Sequence, residues 1–205
     1  PWSEKKKLIE WNGKQWIGFD VPDYGVTVAP DKGVGPFILA LLPASAAGAA
    51  PLQRRTMVQA TFDGGERLLA LNEIFVGHRS HQSARYRIDD GARAEDHSSS
   101  GLIVASGTGL TGWARSISEA THLTVEVGIE EAAFGYWVRE PFPSVATGTD
   151  LRGGKFAGSP LTVVSRMNEG GVVFSDGIEQ DFVAFDWGRR VSLAPADRTF
   201  NLVAA

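Results

Sequence analysis

The chain has 205 residues, with 43% apolar and 21% charged side chains, enough apolar surface to offset the ordering entropy of a folded core and to exclude disorder throughout. Twenty basic against twenty-four acidic residues leave a net charge of −4, which argues against a protein built to coat nucleic acid or an anionic membrane. The absence of cysteine removes disulfide scaffolds, cysteine-ligated zinc, iron–sulfur clusters and thiol nucleophiles together.

The chain begins at Pro1, which leaves open a processed start or a piece of something longer. Lys5 to Lys7 are followed by Leu8, Ile9 and then Glu10, which is no signal-peptide core, and a cytoplasmic location is expected. Leu8–Trp11, Asn12-Gly13 and Lys14–Phe19 read as a hairpin, since Asn-Gly suits a type I′ turn. Residues 30–53, rich in Pro, Gly and Ala, read as an irregular connection, so the chain divides into a hairpin region over 1–53 and a larger domain over 54–205. Val34–Ala50 is apolar but interrupted by Pro36 and Pro43, too broken to span a membrane.

From Arg54 onward, short apolar runs recur between Gly, Asp, Asn and Pro: 57–62, 68–76, 102–106, 123–127, 134–138, 161–167, 172–174, 182–187 and 200–203. This spacing predicts a mainly β fold, a two-sheet sandwich or distorted barrel, rather than alternating strands and helices. One short helix is expected from near Thr111 over Trp113–Ala120.

Several patterns bear on chemistry. Gly107-Thr-Gly109-Leu-Thr-Gly112 follows a strand-like run and precedes the helix, the setting in which backbone N–H groups cradle a phosphate. In so glycine-rich a chain the pattern alone is unspecific, and the strands downstream do not suit a Rossmann domain. Asn72 and Glu73 interrupt an apolar strand. Adjacent strand residues face opposite ways, so the pair reads either as a strand end or bulge, or as an amide and a carboxylate offered to ligand hydroxyls. Asp176-Gly177 reads as a turn whose carboxylate stands at a strand end. His78, His81, His97 and Asp96 lack metal-ligand spacing and read as solvated loop residues. Gly148–Lys155 is one residue too long for a phosphate loop, with Phe156 in place of the magnesium-binding hydroxyl, and no GxSxG elbow occurs.

In order along the chain these segments resemble the NAD kinase family. Ala70–Val76 is similar to its "LNEV" strand, Ser100–Trp113 to its "DGLIVSTPTGSTAY" segment, and Val173–Gly177 to its late "DG" turn. Ser99-Ser100-Gly101, Gly107-Thr108-Gly109 with Trp113, and Val138-Arg139-Glu140-Pro141 resemble the mitochondrial type. The resemblance implies a strand-rich domain that binds NAD, usually across a homodimer, in an enzyme that transfers the terminal phosphate of ATP, with Mg²⁺, to the 2′-hydroxyl of the adenosine ribose. By position it implies that Asn72 and Glu73 contact ribose hydroxyls and that Thr111 and Ser116 reach the adenine edge. Trp113 would lie beside the ligand, Thr108, Gly109 and Gly112 would shape the turn, and Asp176 would join the site. Ser100 stands at the nicotinamide side, where most bacterial members carry Asp. The family's GGDG loop, whose Asp acts as general base, has no counterpart: Asp63-Gly64-Gly65 and Asp31-Lys32-Gly33 do not match it. Two further readings therefore stay open, a non-catalytic nucleotide-binding or regulatory module and a related kinase for another polyol or nucleoside.

Overall fold

The computed structural model describes residues 7–11, 16–20 and 52–203. The chain divides into two compact units, Pro1–Gln53 with Val203–Ala205, and Arg54–Leu202. In the first, β1 (Lys7–Trp11) pairs antiparallel with β2 (Trp16–Asp20), Trp11 opposite Trp16. That register leaves four residues in the connection, where Asn12-Gly13 predicted a two-residue turn; Asn12 and Gly13 themselves, like the connection expected from residue 30 as far as residue 51, lie outside the described residues.

The second unit holds two six-stranded antiparallel sheets. The first has the order β4 (Arg67–Ala70), β3 (Leu52–Phe62), β14 (Arg190–Val203), β11 (Leu161–Ser165), β6 (Ala84–Asp89), β7 (Ala94–Ser99). The second has the order β10 (Gly153–Ala157), β9 (Ala133–Val138), β8 (Leu102–Ala105), β5 (Glu73–His78), β12 (Gly171–Ser175), β13 (Val183–Ala184). The sheets do not close into a barrel. Their facing residues, among them Val58, Ala60, Tyr86, Ile88, Val163 and Leu193 from the first and Ile74, Val76, Val104 and Phe134 from the second, form one buried cluster. The helix α1 (Trp113–Thr121) follows a 3-10 turn at Gly109–Thr111 and packs Ala114 and Ile117 on the outer face of the second sheet, against Phe75, Ile103, Ala105 and Trp137. The central strands of that sheet are covered on both faces, and β8 and β9 are accordingly buried throughout, which is why they read as continuous apolar runs.

Four expectations are corrected. The apolar run 68–76 is not one strand: it breaks at Leu71 and Asn72, β4 joining the first sheet and β5 the second. Residues 123–127 alternate like a strand but join no ladder; the Leu123 carbonyl instead accepts from Trp137 Nε1 (3.1 Å) and Ser118 Oγ (2.7 Å). The run 182–187 narrows to the two residues of β13. Finally, the polar stretch after His78 contains β6 and β7, and His97, expected in a solvated loop, is 1% exposed. Its neighbours Ala84, Tyr86 and Ile88 alternate with polar residues, a half-buried strand pattern diluted by arginine.

His97 stacks on Tyr86 (centroids 5.8 Å apart, planes at 15°). Glu95 Oε2 lies 2.9 Å from Nε2, yet off the ring's N–H direction, so neither ring nitrogen completes a hydrogen bond. The same carboxylate accepts from the N–H groups of Asp150 (3.1 Å) and Leu151 (2.7 Å). It thereby ties the 141–152 loop to β7, along which Phe142 N–H and Gly148 N–H bond the carbonyls of Ser98 and Asp96.

Desolvation holds the His97 imidazole below its ordinary pKa, against the upward pull of Glu95 and Asp96. Below about pH 6.5 the unfolded chain takes up a proton that the folded chain refuses. This contribution to stability is therefore present at neutral pH and lost on acidification. The carboxylates held low by their partners, Glu66, Glu95 and Glu131, act in a lower window, beneath about pH 4.5. In denaturant titrations at pH 7.5 and 5.5, His97→Phe should lose less stability on acidification than the native chain; parallel losses would exclude the buried neutral imidazole.

Candidate functional site

Three segments meet where the chain crosses from the first sheet to the second: the 71–73 corner, the Ser106–Gly109 turn after β8, and the Ser175–Gly177 turn after β12. Asp176 is left-handed (φ +51°), a conformation that Asp and Asn tolerate better than other non-glycine residues. Its carboxylate accepts from the backbone N–H groups of Leu71 (2.9 Å), Asn72 (2.7 Å) and Glu73 (3.3 Å), and its own N–H donates to the Glu73 carbonyl (2.9 Å). The Asp176 carboxylate is thus engaged in shaping the corner.

Ser106, which the sequence reading did not single out, is fully buried. Its N–H donates to the Asn72 carbonyl (2.9 Å). Its hydroxyl donates to the Leu71 carbonyl and accepts from the N–H groups of Thr108 (3.2 Å) and Gly109 (3.3 Å). The signal for it was a lone hydroxyl closing the apolar run Leu102–Ala105 directly before a glycine turn. Gly109 is required by contact: a Cβ there would stand 2.2 Å from the Asn72 carbonyl oxygen. Within the glycine pattern, Gly109 thus has a packing role in the close approach of two turns, and Gly107 packs against the Gly128 backbone.

The result is a rigid corner that leaves the Asn72 amide without a side-chain hydrogen bond among the described residues. Glu73 begins β5; since Ile74 and Val76 enter the core between the sheets and Phe75 the outer cluster, alternation puts Glu73 on the outer face. Burial, and next the charge of Asp176, raise its carboxyl pKa above the ordinary value. Thr108 accepts from Arg55 Nη1 (3.4 Å). Thr111 spends its hydroxyl on the Thr108 carbonyl (3.1 Å), while Gly112 and Ser116 are exposed at the start of α1.

Ser100 and Trp113 lie elsewhere on the same face. They line a cavity of about 470 Å³ whose floor includes Phe75 and Phe174 and which excludes Asn72 and Glu73. Trp113 stacks on Phe75 (5.9 Å between centroids, planes at 15°) with the Arg139 guanidinium 5.1 Å from its ring centre. The sequence-derived candidates therefore fall into two groups, at opposite ends of β5 and β8. Among the described residues no group of three His, Asp or Glu side chains is placed to hold a metal ion, and with the Asp176 oxygens bound to N–H groups the corner does not fit Mg²⁺.

No protein-family model matches the chain. A stretch of 39 residues, 19% of the chain, is 49% identical to the formate dehydrogenase-O major subunit of Escherichia coli K12. Stretches of the same length are 51% identical to the nitrate-inducible formate dehydrogenase major subunit of E. coli and to the formate dehydrogenase major subunit of Haemophilus influenzae. The chain spans only 4% of each of these proteins. In three dimensions it is similar to yeast NADH kinase, solved in complex with NADH, with a TM-score of 0.63 at 17% identity over 83% of this chain. The match covers 49% of that chain.

Removing the Asp176 carboxylate frees three buried-end N–H groups and leaves a left-handed residue unsupported. Asp176→Ala should cost about 2–4 kcal/mol in denaturant unfolding, and Asp176→Asn, which keeps an acceptor and tolerates the backbone, about half of that. Equal losses in the two variants would show that the carbonyl acceptor contributes nothing. The larger half of the chain folds as an NAD kinase-like domain.

Proposed function

We propose that residues 54–202 form the NAD-binding part of an ATP-dependent NAD kinase of the mitochondrial type, acting in the whole enzyme as a homodimer with Mg²⁺ and ATP. One observation carries this reading: the corner at Asn72 and Glu73 is fixed from two sides by Asp176 and Ser106 while both of its side chains are spared for a ligand. Support comes from the ordered motifs of the sequence and from the fold shared with yeast NADH kinase.

In this reading the Glu73 carboxylate accepts from a ribose hydroxyl and the Asn72 amide bonds a second one. A vicinal diol needs such an acceptor and donor on a rigid edge. Glu73 has lost part of its hydration and faces Asp176, so a ligand O–H restores a partner that folding took away. Trp113, Thr111 and Ser116 supply the base side, and Ser100 the nicotinamide side. Phosphoryl transfer rests on positioning and on neutralising the phosphates. With no GGDG counterpart in this sequence, the reading assigns binding, not turnover, to these residues. A non-catalytic nucleotide-binding module is the second reading, favoured by that same missing loop.

Calorimetric titration of NAD into the 205-residue chain tests the assignment. Saturable binding is expected, weakened by about 1–3 kcal/mol in Asn72→Ala and in Glu73→Ala and to a lesser degree in Thr111→Val. Affinity should also fall on acidification at a higher pH than for an ordinary carboxylate, because the accepting form of Glu73 is lost as its raised pKa is crossed. Unchanged affinity in both corner variants, with the fold intact, would overturn the reading.

A further inference from the structure

The cavity on the outer face of the second sheet is built differently from the Asn72–Glu73 corner and stands apart from it. Glu73 pairs with Ala105 and Val76 with Leu102. At about 3.3 Å per residue, the Gly77 and Ser100 end of these strands lies roughly 13 Å from Glu73.

Its floor is an aromatic plane laid on glycine. A Cβ on Gly77 would meet the Phe75 ring at 2.3 Å, and one on Gly101 would meet it at 2.6 Å. Gly101 is besides left-handed, at φ +109°. With no side chain at either position, the Phe75 ring lies flat across the sheet. Phe174 adjoins it at 4.8 Å, Trp113 stacks on it, and Phe182, 45% exposed, stands at the rim.

The polar part of the lining is cationic in a chain whose net charge is −4. Arg79 is exposed and forms no ion pair with any described residue, its N–H being fixed to the Gly170 carbonyl (2.9 Å). Arg139 has its nearest carboxylate, Glu140, at 4.0 Å. It is held in place by the Trp113 face and by a bond from Nη1 to the Ser100 carbonyl (3.3 Å). Glu179 is the single carboxylate in the lining. Two guanidinium groups poorly neutralised by the protein, beside flat apolar walls in a cavity of about 470 Å³, match a compact ligand that is planar at one end and doubly negative at the other.

We propose that this cavity binds an aromatic phosphate monoester, its ring against Phe174 and Phe182 and its phosphate between Arg79 and Arg139. The cavity shares Ser100 and Trp113 with the NAD reading, but the proposal uses neither Asn72 nor Glu73 and needs no ribose, so its failure and that of the NAD reading are told apart by the Glu73 variant.

The probe is phenyl phosphate, which has the ring and the dianion but no sugar, titrated calorimetrically into the full chain. One saturable site is expected, with phenol and inorganic phosphate each at least about tenfold weaker. Arg139→Gln and Arg79→Gln should each weaken it by about tenfold, while Glu73→Gln leaves it unchanged. Arg139 also packs on Trp113, so the exposed Arg79 serves as the variant whose folding is not at issue. Absence of binding in the native chain, loss of binding in Glu73→Gln, or full affinity in Arg79→Gln would each overturn the proposal. Benzoate binding as tightly as phenyl phosphate would overturn the phosphate assignment. A concentration-dependent dimer weakened by Phe182→Ala, in a chain that does not bind the probe, would overturn the proposal and show the face to be covered by a second copy.

Discussion

Everything at the sheet-to-sheet crossing depends on one carboxylate. Backbone groups at the end of a strand have no ladder partner, and burying them unpaired costs as much as losing a hydrogen bond. At Leu71, Asn72 and Glu73 the chain leaves one sheet for another, so the ladder is interrupted where side-chain placement is most demanding. Asp176 answers three of these N–H groups at once, and Ser106 answers the carbonyls of Leu71 and Asn72. Neither neighbour competes for the side chains of the corner. Positioning is thus delegated to residues distant in sequence, and recognition is left to the residues held.

The arrangement has an electrostatic cost that falls on Glu73. Its carboxyl sits partly desolvated near a second carboxylate, so its folded pKa is raised and its ionisation works against the folded state as pH increases. Such a group is stabilised by whatever hydrogen-bond donor is brought to it. The Asp176 oxygens are instead taken up by backbone N–H groups. Two carboxylates close in space therefore take different parts, one committed to the backbone and one left wanting a partner.

The strands buried on both faces were legible in the sequence, since Leu102–Ala105 and Ala133–Val138 are continuous apolar runs between turn residues. So was α1, which carries its two buried residues, Ala114 and Ile117, three positions apart. What escaped was half-buried or non-local. In β6 and β7, arginine, aspartate and serine on the open face outnumbered the apolar signal, and His97 looked like a loop residue because its burial depends on Tyr86 from the neighbouring strand. The break at Asn72 was visible as an oddity in an apolar run, but its cause lies more than a hundred residues away at Asp176. In the glycine pattern of residues 107–112, Gly109 also has a packing reason that only the fold shows: Asn72 lies against it.

The loop over residues 141–152 has a bearing beyond the anchoring of β7. That strand is the margin of the first sheet, and a sheet margin is a template on which a stray extended chain can grow. Phe142 and Gly148 occupy the Ser98 and Asp96 carbonyls, so an incoming strand finds those acceptors already taken. The opposite margin is β4, four residues long with an exposed arginine at its start. With one border occupied and the other short, the first sheet offers little open ladder for a stray strand to extend.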